Sequence, residues 1–168
     1  MLILSSCPIA PGEGHAAGRA LLRRLYETHT GKPLPAIACS PKGKPYFPED
    51  PLYFSISHTK SHAFCALSDS PIGIDAEELH RSISPRLAEK ILSPREYAQY
   101  LTTSDKAAAL LTFWVLKEAL AKCTGEGLRG YPNQTSFSLD DPRVQIMDGC
   151  LLAVIQNTMQ NSEVFHVI

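Results

Sequence analysis

The stretch Gly73-Ile74-Asp75-Ala76-Glu77 carries two carboxylates, two positions apart, in an otherwise small and aliphatic segment. The turn residues Asp69-Ser70-Pro71 just before it favour a β-strand. In a strand, Asp75 and Glu77 point to the same face, because side chains alternate with a period of two. Taken alone, the pair is a solvated pattern on the polar face of an edge strand. The alternative is a pair of Mg²⁺ ligands, since Mg²⁺ binds a few carboxylates together with water and substrate phosphate oxygens.

A later stretch, Phe113-Trp114-Val115-Leu116-Lys117-Glu118-Ala119-Leu120-Ala121-Lys122, predicts a helix that adds charge to this pattern. Trp114, Glu118 and Lys122 form one stripe at four-residue steps, and Lys117 points away from it by about 100°. A surface ion pair between Glu118 and Lys122 would contribute only a few tenths of a kcal/mol. Trp114 indicates instead a half-buried face, where a carboxylate is costly without a compensating cation. A strand and a helix in contact would bring three carboxylates and a lysine together.

The composition is that of an ordinary soluble globular protein. The 168 residues, 44% hydrophobic and 20% charged, suffice for one sizeable core or two small fused ones. A net charge of −1 argues against a general nucleic-acid binder. No apolar run is long enough for a membrane span, and no basic stretch precedes the apolar Met1–Leu4, so we expect neither a membrane anchor nor a signal peptide. The five cysteines include no C-x-x-C pair, which favours a reducing cytoplasm.

Periodicity and turn residues predict a first run of strands around one helix. The helix covers residues 14–30, with Gly31 as its stop, and residues 41–51 form an ordered, turn-rich loop. The strands predicted in this run cover residues 2–7, 36–40, 53–57 and 63–68.

A second run of elements repeats this order of a strand, then a helix, then further strands. Ser84 and Ser93 each precede a proline at a predicted helix start, and Ser93 with Glu96 fits a capping box. A long helix covers about residues 105–123, with Gly125 as its stop. The strands predicted in this run cover residues 72–77, 136–139, 144–146, 150–155 and 164–168.

Four motifs together carry a family resemblance. They are Gly43-Lys44-Pro45, Phe54-Ser55-Ile56-Ser57-His58-Thr59, Gly73-Ile74-Asp75-Ala76-Glu77 and Trp114-Val115-Leu116-Lys117-Glu118-Ala119 with Lys122. In this order and spacing, over about residues 42–128, the chain resembles the 4′-phosphopantetheinyl transferases of the surfactin-synthetase-activating type, shortened at the N-terminus. The resemblance implies an α+β fold of two similar halves related by pseudo-twofold symmetry. We expect the halves to cover residues 1–70 and 71–168, with the site in the cleft between them.

The resemblance also implies an activity and a set of residue roles. The family transfers the 4′-phosphopantetheine arm of coenzyme A to a serine of an apo acyl or peptidyl carrier protein. It implies Mg²⁺ bound by Asp75, Glu77 and Glu118, with Glu118 as ligand, base or both, and Lys122 on the phosphates. We expect a monomer that acts in the cytoplasm and binds neither nucleic acid nor membrane.

Further residues are candidates for binding coenzyme A. The resemblance implies that Lys44, Ser57 and His58 contact the adenine or the phosphates. Adjacent residues at a strand end point apart and no G-x-S-x-G elbow is present, so Ser57 is not a nucleophile with His58 as its base. His15 and Arg19, with Arg23, form a basic stripe on the first helix. Most such stripes are merely solvated, but a 3′-phosphate needs cationic partners.

Two other functions stay open from the sequence. The first is a coenzyme A-binding or nucleotide-binding relative without catalysis, and the second is a Mg²⁺-dependent hydrolase of phosphoanhydrides. The complete set of carboxylates argues against the first. Release of phosphate without a carrier protein would identify the second.

Overall fold

Two three-stranded antiparallel sheets and four α-helices organise the described part of the chain, residues 1–128 and 132–157 of a computed structural model. The earlier elements are β1 (Leu2–Pro8), α1 (Gly14–Thr30), β2 (Ala38–Cys39), β3 (Pro45–Tyr46), β4 (Tyr53–His58) and β5 (His62–Ser68). The later elements are β6 (Ile72–Glu78), α2 (Ala88–Ile91), α3 (Pro94–Thr102), α4 (Lys106–Thr124), β7 (Val144–Met147) and β8 (Cys150–Gln156). Short 3-10 helices cover Pro85–Leu87 and Pro132–Gln134. The predicted α+β class is confirmed.

The two larger sheets have the same strand order. One runs β1-β5-β4 and the other β6-β8-β7, with every neighbouring pair antiparallel. In each, an edge strand comes first in the chain, a long helix follows, and a hairpin then supplies the other edge strand and the central strand. This matching order agrees with an expectation of two similar halves, while the boundary at residue 70 stays a prediction.

Helix α1 packs onto the first sheet with one apolar side. Leu21, Leu22 and Tyr26 are buried there with Phe47 and Phe54. The helix has the bounds that the sequence predicts, because Gly31 adopts the left-handed conformation (φ 69°) that ends helices.

Helix α4 and strand β6 approach each other closely enough to exclude a side chain. A Cβ at Gly73 would collide with the backbone of Ala119 and Cys123, so only glycine fits there. Asp75, two residues further along β6, therefore lies beside the charged stripe of α4.

Serine side chains join the two larger sheets where β4 runs beside β6. The Ser55 hydroxyl accepts a hydrogen bond from the Ile74 N–H at 3.0 Å, and the Ser57 hydroxyl accepts one from the Ala76 N–H at 3.1 Å. These bonds satisfy buried backbone donors of β6 that no neighbouring strand pairs on this side. The two serines thus set the position of Asp75 between them.

The predicted strand at residues 136–139 is wrong. Phe137 is buried, but its N–H donates to Glu96 Oε1 at 3.0 Å, and the Leu139 N–H donates to Gln99 Oε1 at 3.3 Å. Side chains of α3 thus take the place of a neighbouring strand. The loop predicted at residues 41–51 contains the short β3. The strand predicted at residues 164–168 lies outside the described residues.

The helix starts predicted at the two serine–proline pairs differ in the structure. Ser93 and Glu96 form the predicted capping box at the start of α3. Ser84 instead precedes a 3-10 turn and makes no side-chain capping bond.

Lys117 on α4 forms a buried ion pair with Glu96 at 2.8 Å, so it ties α4 to α3 and faces away from the stripe of Glu118. In the described ranges, no helix is both long and apolar enough to cross a membrane.

Candidate active site

A cavity of about 600 Å³ opens where β4, β6, α1 and α4 meet. It contains all but one of the site residues predicted from the sequence: His15, Arg19, Ser57, His58, Asp75, Glu77, Glu118 and Lys122. The remaining residue, Lys44, lines an adjoining cavity of about 310 Å³ that shares Glu118 and Lys122 with the first. The two cavities form one cleft, with carboxylates in its middle and cations at both ends.

Asp75 is the most constrained residue of this cleft, with a side chain only 8% exposed. Its Oδ1 accepts hydrogen bonds from Lys122 Nζ at 2.7 Å and from Ser57 Oγ at 3.1 Å. Its Oδ2 is buried without a hydrogen-bond partner among residues 1–128 and 132–157. An unsatisfied buried acceptor costs about 1–3 kcal/mol, more when it is charged. A cation bound at Oδ2 would remove this cost.

Glu77 is held by two donors in the same cleft. Trp114 Nε1 donates to Glu77 Oε1 at 3.1 Å, and the Arg81 guanidinium forms an ion pair with the same oxygen. The Glu77 side chain is only 14% exposed, so both interactions are partly shielded from water. The predicted stripe of α4 therefore faces β6, as the sequence pattern indicates.

Glu118 is half-buried between the other two carboxylates and Lys122. Burial above all, and then the negative charge of Asp75, raise the pKa of the Glu118 carboxyl, while Lys122 and Arg81 act in the opposite direction. A carboxylate with a raised pKa is a stronger base, which suits the removal of a proton from a hydroxyl.

The three carboxylates share the cleft, but they are not gathered around one point. Within the described ranges, no three His, Cys, Asp or Glu side chains are grouped closely enough to hold one metal ion. Protein cations occupy the space instead, because Lys122 is paired with Asp75 and Arg81 with Glu77.

The start of α1 forms the basic end of the cleft. The rings of His15 and His58 meet edge to face, with centroids 4.9 Å apart, and the His58 ring packs directly on Gly14. Arg19 lies one turn further along the helix. The free N–H groups and positive dipole of a helix N-terminus favour anions, so this end suits a phosphate group.

Lys44 has a hydrogen-bond partner that the sequence did not indicate, and Arg23 lies in a groove beside the cleft. The Lys44 ammonium donates to the Cys123 carbonyl at the C-terminus of α4, and burial lowers its pKa. A cation is favourable at a helix C-terminus, so Lys44 has a structural partner in addition to its place in the cleft. Arg23 lies outside the main cavity, in a neighbouring groove that it shares with Arg19.

Sequence reasoning missed Arg81. The residue follows Glu77 by four positions, in a segment where no helix or strand is predicted. A turn brings it back to the cleft, because the Arg81 N–H donates to the Glu78 carbonyl at 2.9 Å. A glutamate and an arginine four residues apart, directly after a carboxylate-bearing strand, are the signal that could have indicated it.

Sequence comparisons identify known proteins that this chain resembles. The profile of the 4′-phosphopantetheinyl transferase superfamily matches residues 71–161, which include Asp75, Glu77 and Glu118. The 4′-phosphopantetheinyl transferase AcpT of Escherichia coli (strain K12) is 34% identical over 133 residues, or 73% of this chain and 68% of that protein. HetI of Nostoc sp. is 34% identical over 122 residues, or 67% of this chain and 52% of that protein.

A third relative gives a similar match over a smaller share of its length. The 4′-phosphopantetheinyl transferase gsp of Aneurinibacillus migulanus is 31% identical over 105 residues, or 61% of this chain and 43% of that protein. The chain thus spans between 43% and 68% of the length of these three relatives. The matched profile covers more than half of the chain, so the protein belongs to the 4′-phosphopantetheinyl transferase superfamily.

Proposed function

We propose that this protein transfers the 4′-phosphopantetheine arm of coenzyme A to a serine hydroxyl of an apo acyl or peptidyl carrier protein. Adenosine 3′,5′-bisphosphate is the other product. The observation that carries this proposal is the buried Oδ2 of Asp75, which has no partner among the described residues and lies in a cleft that also contains Glu118 and Lys122. It supports a cation site beside a candidate base and a candidate phosphate ligand.

The distribution of charge in the cleft supports coenzyme A as the substrate. A pyrophosphate needs cationic donors, and Lys122 points into the cleft from α4. A further phosphate on the ribose suits the basic end formed by His15, Arg19 and His58. Lys44 lines the adjoining cavity, where the adenine would have room.

The chemistry of the donor set suits Mg²⁺, and the three side chains would have to draw together to bind one ion. Asp75, Glu77 and Glu118 offer only carboxylate oxygens, which Mg²⁺ prefers, and the free Oδ2 of Asp75 has no competing donor within the described residues. When bound there, Mg²⁺ would neutralise part of the charge of the pyrophosphate.

The residues of the chain account for the remaining chemistry of the transfer. Glu118 accepts the proton of the carrier serine, whose oxygen then forms a bond to the phosphorus that bears the pantetheine arm. The bond from that phosphorus to the bridging oxygen breaks, and the electron pair leaves with adenosine 3′,5′-bisphosphate. Lys122 stabilises the charge on the phosphate oxygens through its ammonium. Ser57 has no covalent part in this step, because the carrier serine is the nucleophile, and the Ser57 hydroxyl donates a hydrogen bond to Asp75.

Intact-mass measurement tests the proposal. The protein is incubated with coenzyme A, Mg²⁺ and a panel of apo acyl and peptidyl carrier proteins. One phosphopantetheine should be added to a carrier only when all components are present. A folded protein that modifies no carrier in a diverse panel would contradict the transfer. Binding of coenzyme A without transfer would indicate a binding relative, and breakdown of coenzyme A without a carrier would indicate a hydrolase.

A further inference from the structure

Arg81 lies at the edge of the cleft, beside the carboxylate cluster that Asp75, Glu77 and Glu118 form. Its guanidinium forms an ion pair with Glu77 and lies 6.0 Å from the centroid of the Trp114 ring. Trp114 in turn donates its Nε1–H to the same Glu77 oxygen. Arg81 therefore forms two interactions, an ion pair with a carboxylate oxygen that a divalent cation would use and a contact with the neighbouring ring.

The charges around Arg81 explain why a cation is needed at this point. Asp75, Glu77 and Glu118 line one cavity, and Lys122 is engaged with Asp75. Without Arg81, Glu77 would lose its ion-pair partner in a partly dehydrated space that it shares with Asp75 and Glu118, and like charges in such a space repel strongly.

We propose that Arg81 is the internal counter-cation of this cluster, and that a divalent cation displaces its guanidinium from Glu77. The inference rests on the metal site of the proposed function and adds a competitor that belongs to the chain. Glu77 Oε1 already accepts from Trp114 and Arg81, so a metal ion at that oxygen would lie close to the guanidinium, and the two cations would repel each other.

The exposure of the side chains makes this exchange feasible. The Arg81 side chain is 46% exposed, so its guanidinium can move into water with little loss of hydration. Lys122 is more enclosed and also donates to Ser57, so it stays in place. The exchange is therefore specific to Arg81, and the affinity of the site for a divalent cation includes the cost of releasing it.

Binding of Mn²⁺ alone, measured by electron paramagnetic resonance of the free ion, tests the exchange without substrate or turnover. Arg81→Gln should bind Mn²⁺ about tenfold more tightly than the wild type, which corresponds to about 1.4 kcal/mol. Arg81→Lys keeps the positive charge and should stay near the wild type. Arg86→Gln is the matched control. It removes the same charge, but Arg86 is exposed and lies outside the cleft.

The fluorescence of Trp114, the only tryptophan of the chain, gives a second measurement. Mg²⁺ should shift the emission of the wild type, because Arg81 leaves the ring. Metal-free Arg81→Gln should already emit like the Mg²⁺-bound wild type, and circular dichroism verifies that each variant is folded.

The outcomes separate this inference from the proposed function. Wild-type Mn²⁺ affinity in Arg81→Gln, or tighter binding in Arg86→Gln to the same extent, would overturn the displacement of Arg81 alone. An absence of Mn²⁺ binding to every variant would overturn the metal site and the displacement together. Tighter binding confined to Arg81→Gln, with the expected change in Trp114 emission, would establish the exchange.

Discussion

Asp75 combines two roles that a single substitution can separate. Its Oδ1 accepts hydrogen bonds from Lys122 and Ser57, and its Oδ2, which has no partner among the described residues, is available to a ligand. Asp75→Asn keeps the size and one acceptor oxygen but removes the charge. We expect transfer to fall by at least about a hundredfold, because charge-assisted interactions at the reacting phosphate weaken. The melting temperature should change by only a few degrees, since the volume of the buried group is kept.

Mass spectrometry of carrier modification and thermal denaturation together check this expectation. Asp50→Asn serves as the control, because Asp50 lies away from the cleft and bonds the hydroxyl of Tyr26. Near-normal transfer by Asp75→Asn at limiting Mg²⁺ would show that the metal site is elsewhere.

Glu118 gives the second prediction at this scale, and its raised pKa determines the direction in which kcat changes with pH. Below that pKa the carboxyl keeps its proton and cannot act as a base, so kcat of the wild type should rise with pH through a midpoint above the ordinary 4.5. Glu118→Gln should lower kcat by about 10²–10⁴ and remove this rise, with less effect on the KM for coenzyme A.

The contribution of Glu118 as a ligand can be measured in the same variant. If excess Mn²⁺ restores the rate of Glu118→Gln, metal binding dominates, whereas partial recovery at high pH indicates loss of the base. An unchanged kcat in Glu118→Gln would rule out both roles.

At the scale of elements, the contact between β4 and β6 depends on two serines rather than on a backbone ladder. Ser55→Ala removes the acceptor of the buried Ile74 N–H, and the loss should destabilise the protein by about 1–3 kcal/mol. Ser55 lines the smaller cavity, but the substitution changes none of the residues assigned to catalysis or to the metal, and it loosens β6 just before Asp75. We therefore expect kcat to fall more than the KM for coenzyme A rises.

Urea denaturation and steady-state kinetics check this expectation. Ser70→Ala is the matched control, because the Ser70 hydroxyl donates its one hydrogen bond to a described residue, the exposed Asp69 beside it. Equal stability of the Ser55 and Ser70 variants would mean that the hydroxyl of Ser55 does not hold the two strands together.

The elements also show what local sequence can predict. Residues 14–30 form a helix with the predicted bounds, because its apolar stripe and Gly31 are local signals. The strand predicted at residues 136–139 is absent because its backbone hydrogen bonds go to Glu96 and Gln99, far away in the sequence. Arg81 reaches the cleft through a turn over residues 78–81 that contains neither Gly nor Pro. Motifs therefore predict the residues of the site, while the partners that position them depend on tertiary contacts.

At the scale of the whole molecule, a net charge of −1 conceals an uneven distribution of charge. Arg19 and Arg23 are exposed on the outer side of α1 and line a groove that adjoins the cleft. The family resemblance implies a carrier protein that is acidic around its acceptor serine. Such a carrier would be attracted to this basic side by forces that act through water and are therefore screened by salt.

Salt should consequently affect the two substrates differently. The KM for the carrier protein should rise severalfold between low and physiological ionic strength, because exposed charges are screened within about 8–10 Å. The KM for coenzyme A should rise less, since Lys44 and Lys122 are partly buried and are screened less. Arg23→Gln should weaken the salt dependence for the carrier and leave the KM for coenzyme A unchanged, because Arg23 lies outside the main cavity. Steady-state kinetics at several salt concentrations give both values, and equal responses of the two substrates would indicate an apolar docking surface instead.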